Sequence, residues 1–312
     1  MVKYILKRTA WAFVTLLAVV TVTFFLMRSI PGDPLAGMAR ALPEETRNAF
    51  MAKYGLDKPL FDQYIIYMKG LLTEFDLGES LRYAGRPVLK TITETSPVSA
   101  SFGIPALIIG TLTGIILGIV AALKKNKWPD YVVMFLAILG TTLPVFVLIS
   151  ISQWIFGVKL NGLLPPSGWG TPKHMILPIA VSAFGSVATY ARYVKASMLD
   201  TLDQDYVLTA KAKGLSQFQI ITRHVLRNSL MPAITIFAGS VVGVFTGAFV
   251  TERMFAIPGI GFYYISSINN YDYTMILGTT VFYAVLFVVM QLILDIVYTL
   301  IDPRIRVGGG KK

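Results

Sequence analysis

The chain has 312 residues, of which 54% are hydrophobic and only 14% charged, with a mean hydropathy of +0.64; an ordinary soluble domain carries roughly 25% charged residues. Apolar sequence in uninterrupted runs, each near the ~20 residues that cross a hydrocarbon layer, excludes a water-soluble globule and points to an all-α membrane protein. The absence of cysteine and the presence of only two histidines exclude a disulfide framework and thiol chemistry, and leave little basis for a zinc site.

Six apolar segments follow in chain order, over residues 9–30, 98–123, 131–157, 174–191, 229–250 and 274–301. Each is long enough to cross a bilayer, so six transmembrane helices are expected. Lys3, Lys7 and Arg8 precede the first span and Lys124, Lys125 and Lys127 follow the second. Six basic residues from Arg192 to Arg227 follow the fourth, and Arg304, Arg306, Lys311 and Lys312 end the chain. With alternating spans these groups share one face, where 16 basic residues meet five acids, against 11 of each sign on the other face. The formal charge of +11 therefore belongs to one side of a membrane. By the positive-inside bias that side is cytoplasmic, with both termini inside. A nucleic-acid surface would need those basic residues on one uninterrupted stripe, so no nucleic-acid partner is expected.

The first helix takes residues 1–30. Its apolar stretch exceeds the core of a cleaved secretory signal, and Pro31-Gly32-Asp33-Pro34 reads as a turn closing a full span. Residues 31–97 form a small extracytoplasmic region of mixed charge. Within it Phe61 to Met68 carries aromatic and aliphatic residues at helical spacing, which suits either a short amphipathic helix on the outer membrane surface or a packing element.

The transmembrane core takes residues 98–301. Gly110, Gly114 and Gly118 recur every four residues in the second span, and Gly239, Gly243 and Gly247 do so in the fifth. Such faces let backbones approach closely, so both are expected to pack within the bundle or across a dimer interface. Pro144, Pro178 and Pro232 are expected to bend or start helices.

Little in the sequence suggests catalysis. There is no G-x-x-x-x-G-K-[ST] phosphate loop, no H-E-x-x-H, and no pair of acids within the spans. His174 and His224 fall on opposite faces and form no acid–base pair. Arg28 and Asp295 are the charges expected inside spans, both near ends, whereas a proton-driven carrier places ionisable groups near the midplane.

The most structured loop is the cytoplasmic segment 192–228. Asp203-Gln204-Asp205-Tyr206 supplies N-terminal acids, residues 207–213 favour helix, and Gly214 is a natural stop. The small residues Ala210, Ala212 and Gly214 suit insertion into a groove of another protein, while Lys211 and Lys213 can meet acids or phosphates. A second helix over 216–227 places Phe218, Ile221, Val225 and Leu226 on one face.

These residues carry a family resemblance. Tyr206-Val207-Leu208-Thr209-Ala210-Lys211-Ala212-Lys213-Gly214-Leu215, followed by Arg223-His224-Val225-Leu226-Arg227-Asn228 and Pro232, resembles the EAA loop of ABC importers in its oligopeptide/dipeptide permease form, with Leu208 and Thr209 where the generic motif has Glu and Ala. Pro31 to Pro34, Tyr54 to Leu60, Thr251 to Gly261 and Asp302 to Arg306 likewise resemble that family's B-type permease subunit. The resemblance implies the type I ABC importer permease fold and half of a translocation pathway for peptides. It implies a second, homologous permease subunit, two cytoplasmic ATPases that hold ATP and magnesium, and an extracytoplasmic peptide-binding protein. It also implies that Asp205, Tyr206, Thr209, Ala210, Lys211, Ala212, Lys213, Gly214 and Leu215 couple the chain to an ATPase. On this reading the chain is no enzyme, binds no cofactor or metal, and ends in a short cytoplasmic tail over 302–312. Import of nickel or another non-peptide solute is the alternative within the same family; a membrane-embedded enzyme and a passive channel are more distant ones.

Overall fold

In a computed structural model, residues 2–29, 55–83 and 85–301 are described, together with scattered positions between 45 and 52. The turn at 31–34, Tyr54 and the tail at 302–312 lie outside the described residues, as does the side chain of Asp295. Among the described residues there is no strand, only an isolated bridge between Glu79 and Pro87.

The helices in order are α1 (Val2–Ser29), α2 (Leu60–Lys69), α3 (Val88–Leu123), α4 (Trp128–Thr142), α5 (Val145–Ser152), α6 (Pro172–Leu202), α7 (Asp205–Ala212), α8 (Gln217–Ile220), α9 (Leu226–Ser229), α10 (Met231–Thr246), α11 (Phe249–Phe255), α12 (Ile260–Asn269) and α13 (Tyr273–Ile301). Wider π-type turns extend α2 through Gly70–Glu74, extend α5 through Gln153–Lys159, and join α8 to α9 through Ile221–Val225.

Among the described residues, four helices are long and apolar enough to cross a membrane singly: Leu6–Ser29, Val88–Leu123, Pro172–Leu202 and Tyr273–Ile293. The other two expected spans are bent. Trp128–Thr142 and Val145–Lys159 meet at 107°, and Gln217–Ser229 meets Met231–Thr246 at 42°. The first bend falls at Pro144, the N-cap of α5, which has no N–H to continue the ladder of α4. Pro232 sits in the first turn of α10 and Pro178 is buried inside α6.

Three boundaries differ from expectation. The fifth span stops at Thr246, because Gly247 takes a positive φ of 83° and α11 begins a new helix two residues later. The fourth continues past Ala191 to Leu202, so Arg192 and Lys195 are helical. The second already begins at Val88, inside the expected extracytoplasmic region.

The chain divides into two compact units, Met1–Pro97 with Gly259–Lys312, and Val98–Pro258. The last span thus belongs with the first, not with the 98–258 core. In the first unit α2 has a packing role. Tyr64 stacks on Phe25 with centroids 5.4 Å apart and its hydroxyl lies 2.8 Å from Thr21 Oγ1. Gln63 Oε1 accepts from Arg28 Nε at 3.1 Å, while the Arg28 guanidinium lies 4.9 Å over the Phe24 ring. Burial pushes the Tyr67 phenol above its ordinary range. Asp272 is buried at the start of α13: Oδ1 accepts the N–H of Met275 at 3.1 Å and of Leu81 at 2.9 Å, and Oδ2 accepts from Ser80 Oγ. It therefore caps α13 and fastens the Ser80–Arg82 turn to it.

In the second unit α6 is gripped by glycines on two sides. A methyl group on Gly110 would lie 2.5 Å from Ser186 Cβ, on Gly114 2.6 Å from Tyr190 Cβ, and on Gly118 2.8 Å from the Ala191 carbonyl. From the other side, one on Gly140 of α4 would lie 2.6 Å from Ala188 Cβ. The first glycine repeat is therefore a helix–helix seam. The second is not a seam within this chain: Gly239 and Gly243 have nothing within 4 Å of an added methyl, and Gly247 ends its helix.

Candidate functional site

The segment after α6 folds as a two-layer elbow. Gln204 caps α7 in an extended conformation, Asp205 opens the helix where its dipole favours an acid, and Lys211 lies in the last turn. Lys213 is the C-cap and Gly214 takes φ +76°, a conformation that favours glycine. The Lys213 and Gly214 N–H groups donate to the Thr209 and Lys211 carbonyls at 3.0 Å each. Ser216 and Gln219 then form a reciprocal capping box that starts α8.

The inner layer is apolar. Val207 and Ala210 are buried with Ile220 and Val225 against Tyr190, Val194 and Met198 of α6, Ala122 of α3 and Ala233 of α10, with Leu215, Ile221 and Leu226 half-buried beside them. The two arms are also tied by a polar bond: Asn228 Nδ2 donates to Tyr206 Oη at 2.9 Å and to the His224 carbonyl at 3.2 Å.

The outer layer is exposed. Asp205, Tyr206, Leu208, Thr209, Lys211, Ala212, Lys213 and Gly214 are exposed, Leu208 at 53%. Phe218 at 75% points away from the elbow's core, so the expected stripe of Phe218, Ile221, Val225 and Leu226 holds for its last three members only. Ala210 also departs from expectation: at 4% exposure it faces this chain's own core and does not present itself to another protein.

Reading the sequence missed the buried acids. Glu252 of α11 is fully buried and its Oε1 accepts from Ser99 Oγ at 2.7 Å and from the Ala248 N–H at 3.1 Å. Lys195 of α6 pairs with the buried Asp130, whose Oδ2 also accepts from the Asn126 N–H at 3.1 Å. The acids stand 153 and 65 residues from these side-chain partners, so no local pattern marks them. The helical reach of α6 past Ala191 was the one accessible clue. His174 is held locally, its Nδ1 2.7 Å from Thr171 Oγ1.

Comparison with known proteins fits this geometry. The family model described as binding-protein-dependent transport system inner membrane component matches residues 114–307, and the model of the N-terminal part of such membrane components matches residues 1–102. The chain is 44% identical to the dipeptide transport system permease protein DppB of Bacillus subtilis, over 98% of each chain. It is 38% identical to the oligopeptide transport system permease protein OppB of Escherichia coli K12, over 98% of this chain and 100% of that one. A crystal structure of an amino acid ABC transporter with histidines aligns with a TM-score of 0.52 at 12% identity, covering 70% of this chain and 95% of its own, a likeness of fold. An all-helical chain with broken spans and a capped two-layer elbow, matched over nearly its full length, belongs to the family of binding-protein-dependent transport system inner membrane components.

Proposed function

We propose that the chain is the permease subunit of a peptide importer, forming half of the translocation pathway beside a second, homologous permease, and that it takes its energy by contact through α7. Two ATPases holding ATP and magnesium engage the basic, cytoplasmic face that carries both termini, and a binding protein delivers peptide from the other side. The support for peptide is the naming of the relatives, dipeptide and oligopeptide permeases at 38–44% identity.

The observation that carries the coupling reading is the division of α7 into two faces. Val207 and Ala210 bind it to α3, α6 and α10, while Leu208, Thr209, Lys211 and Ala212 are presented outward. A partner that grips the outward face moves a helix already keyed into three others. Close packing keeps such elements from deforming gradually, so the push is passed on as a change of population between inward-open and outward-open states. Gly239 and Gly243, open in this chain, suit the seam with the second permease.

The test uses Leu208→Glu and Ala212→Glu in the assembled transporter, reconstituted in vesicles, with uptake of a labelled dipeptide and of nickel measured separately. Dipeptide uptake and transport-linked ATP hydrolysis are expected to fall at least tenfold while the thermal midpoint of the isolated chain is unchanged, since both side chains are exposed. Normal uptake in both variants would remove α7 from the mechanism. Nickel uptake without dipeptide uptake in the unaltered protein would refute the substrate.

A further inference from the structure

The first unit holds a cavity of about 360 Å³ at the end of α1, walled by α2, the π-type turn that extends it and the start of α13. Four charged side chains line it: Arg28, Lys69, Glu74 and Asp76. Opposite charges in a partly covered space gain by pairing, yet among the described residues no ion pair joins either cation to either acid. The fold holds them apart. Gln63 Nε2 donates to the Lys58 carbonyl at 2.9 Å, which turns its Oε1 toward Arg28 Nε, and the guanidinium rests over the Phe24 ring. Asp76 is pinned separately, its N–H donating to the Gly70 carbonyl at 3.2 Å and its Oδ1 accepting the Gly78 N–H at 2.8 Å.

Hydrogen-bonding capacity is left over inside this cavity. With Nε engaged by Gln63, the two terminal nitrogens of Arg28 have no hydrogen-bond partner among the described residues. They form the planar fork that matches a carboxylate. Tyr67, which also lines the cavity, has a buried hydroxyl with no partner among the described residues, and such a group is costly to leave unbonded. Burial raises its phenol most, with the Asp76 charge raising it further and the Arg28 charge lowering it, so the hydroxyl lies within electrostatic reach of both. One ligand that carries an anion at one end and a cation at the other satisfies all of these groups.

We propose that this cavity binds one short zwitterionic peptide, its carboxylate received by the Arg28 fork and the Tyr67 hydroxyl and its ammonium group by Glu74 and Asp76. A round cavity of this volume is about 9 Å across, and two or three extended residues span about 7–11 Å. A phosphatidylethanolamine headgroup carries the same two charges, but its acyl chains need an apolar track leading away. The apolar side chains that line the cavity, Leu56, Ile66 and Leu277, are buried or half-buried and none is exposed. The charge pattern carries the site; the choice of a peptide among small zwitterions rests on the function proposed above.

The test titrates the purified full-length chain in neutral detergent with alanylalanine, with its amide, which lacks the carboxylate, and with its N-acetyl form, which lacks the ammonium group, by calorimetry. The free dipeptide is expected to bind most tightly. Arg28→Gln should weaken it at least tenfold, the worth of a charge-assisted hydrogen bond, and leave the amide unchanged. Tyr67→Phe should weaken the dipeptide severalfold with no loss of melting midpoint, because the hydroxyl has no bond among the described residues to lose. Asp76→Asn, which keeps an oxygen for the Gly78 N–H, and Glu74→Gln should each cost about twofold to fivefold, as exposed charges do, and leave the N-acetyl form unchanged. Lys90→Gln, outside the cavity, should change nothing. No binding of the dipeptide, equal affinity for the three compounds, or equal losses in Arg28→Gln and Lys90→Gln would overturn the proposal. Displacement by phosphatidylethanolamine in mixed micelles, with the same response to Arg28→Gln, would assign the cavity to a lipid headgroup and equally overturn it. No ATPase and no transport enters the measurement, so its failure is separate from failure of the importer reading.

Discussion

A single methyl group on Gly114 tests the seam between α3 and α6. In Gly114→Ala the new carbon would lie 2.6 Å from Tyr190 Cβ, 2.9 Å from the Val187 carbonyl oxygen and 3.1 Å from Val187 Cα. Carbon atoms rest about 3.5–4.0 Å apart, so α6 must withdraw by roughly 1 Å at that turn. Two of the contacts are backbone, and Tyr190 is fully buried in the elbow's core, so no flexible side chain can absorb the shift. Overpacking of this kind costs about 1–3 kcal/mol, and each kcal/mol moves a melting midpoint by about 2–4 °C in a protein of 150–250 residues. The midpoint of the purified chain, followed by size-exclusion chromatography after heating, should fall by roughly 2–12 °C. Gly243→Ala, with nothing within 4 Å, should stay within about 1–2 °C, a surface change being worth about ±0.5 kcal/mol. Equal midpoints for the two variants would refute the assignment of the first repeat to a seam inside the chain.

Asp272→Ala strands the Ser80 hydroxyl and the Leu81 and Met275 N–H groups, and a destabilisation of about 2–4 kcal/mol is expected by chemical denaturation, with Asp272→Asn recovering much of it. Glu252→Ala removes the acceptor for Ser99 and the Ala248 N–H, and should raise protease cleavage within 247–256 more than Ser99→Ala does. Asn228→Ala cuts the polar tie between the arms of the elbow; deuterium exchange in α7 should rise while that of α3 is unchanged, and parallel rises would show that the tie is not local. Gly243→Leu should leave the melting midpoint intact and weaken association with the proposed second permease, measured by co-purification.

The positions of the spans, the packing helix at Leu60–Lys69 and the helix ending before Gly214 were legible because each rests on local chemistry: apolar length, 3.6-residue spacing, an acid at one end and glycine past the other. Gly110, Gly114 and Gly118 were legible as a face, though not which helix would meet them. Of the breaks, the one at Pro144 was legible from its proline and the one at Gly247 was not. Hydropathy runs unbroken through both Leu143-Pro144 and Gly247-Ala248, and a proline or glycine in a membrane helix is compatible with either a break or an uninterrupted helix, as Pro178 inside α6 demonstrates. Arg192 and Lys195 read as loop because charge usually ends a span, whereas here Asp130 and Thr141 of α4 receive them. The direction of Ala210 was hidden because in a helix of eight residues with little amphipathic contrast only the tertiary partners decide which face turns inward.

The right-angled break at Pro144 has a consequence for water. At 1.5 Å per residue, the 15 residues of α4 reach about 22 Å, short of the ~30 Å hydrocarbon layer. Counted from one membrane face, a helix of this length ends inside apolar depth, and here Pro144 offers no N–H to the Gly140 carbonyl. Backbone of that kind persists at membrane depth only if protein covers it or water reaches it. The Arg192–Thr141 bond lies on the same turn, so hydration must extend along this end of α4 or another subunit must seal it. The elbow of the third span thus marks how deep solvent penetrates, and the 142–147 stretch is where exchange with deuterated water should report whether the pathway is open or closed.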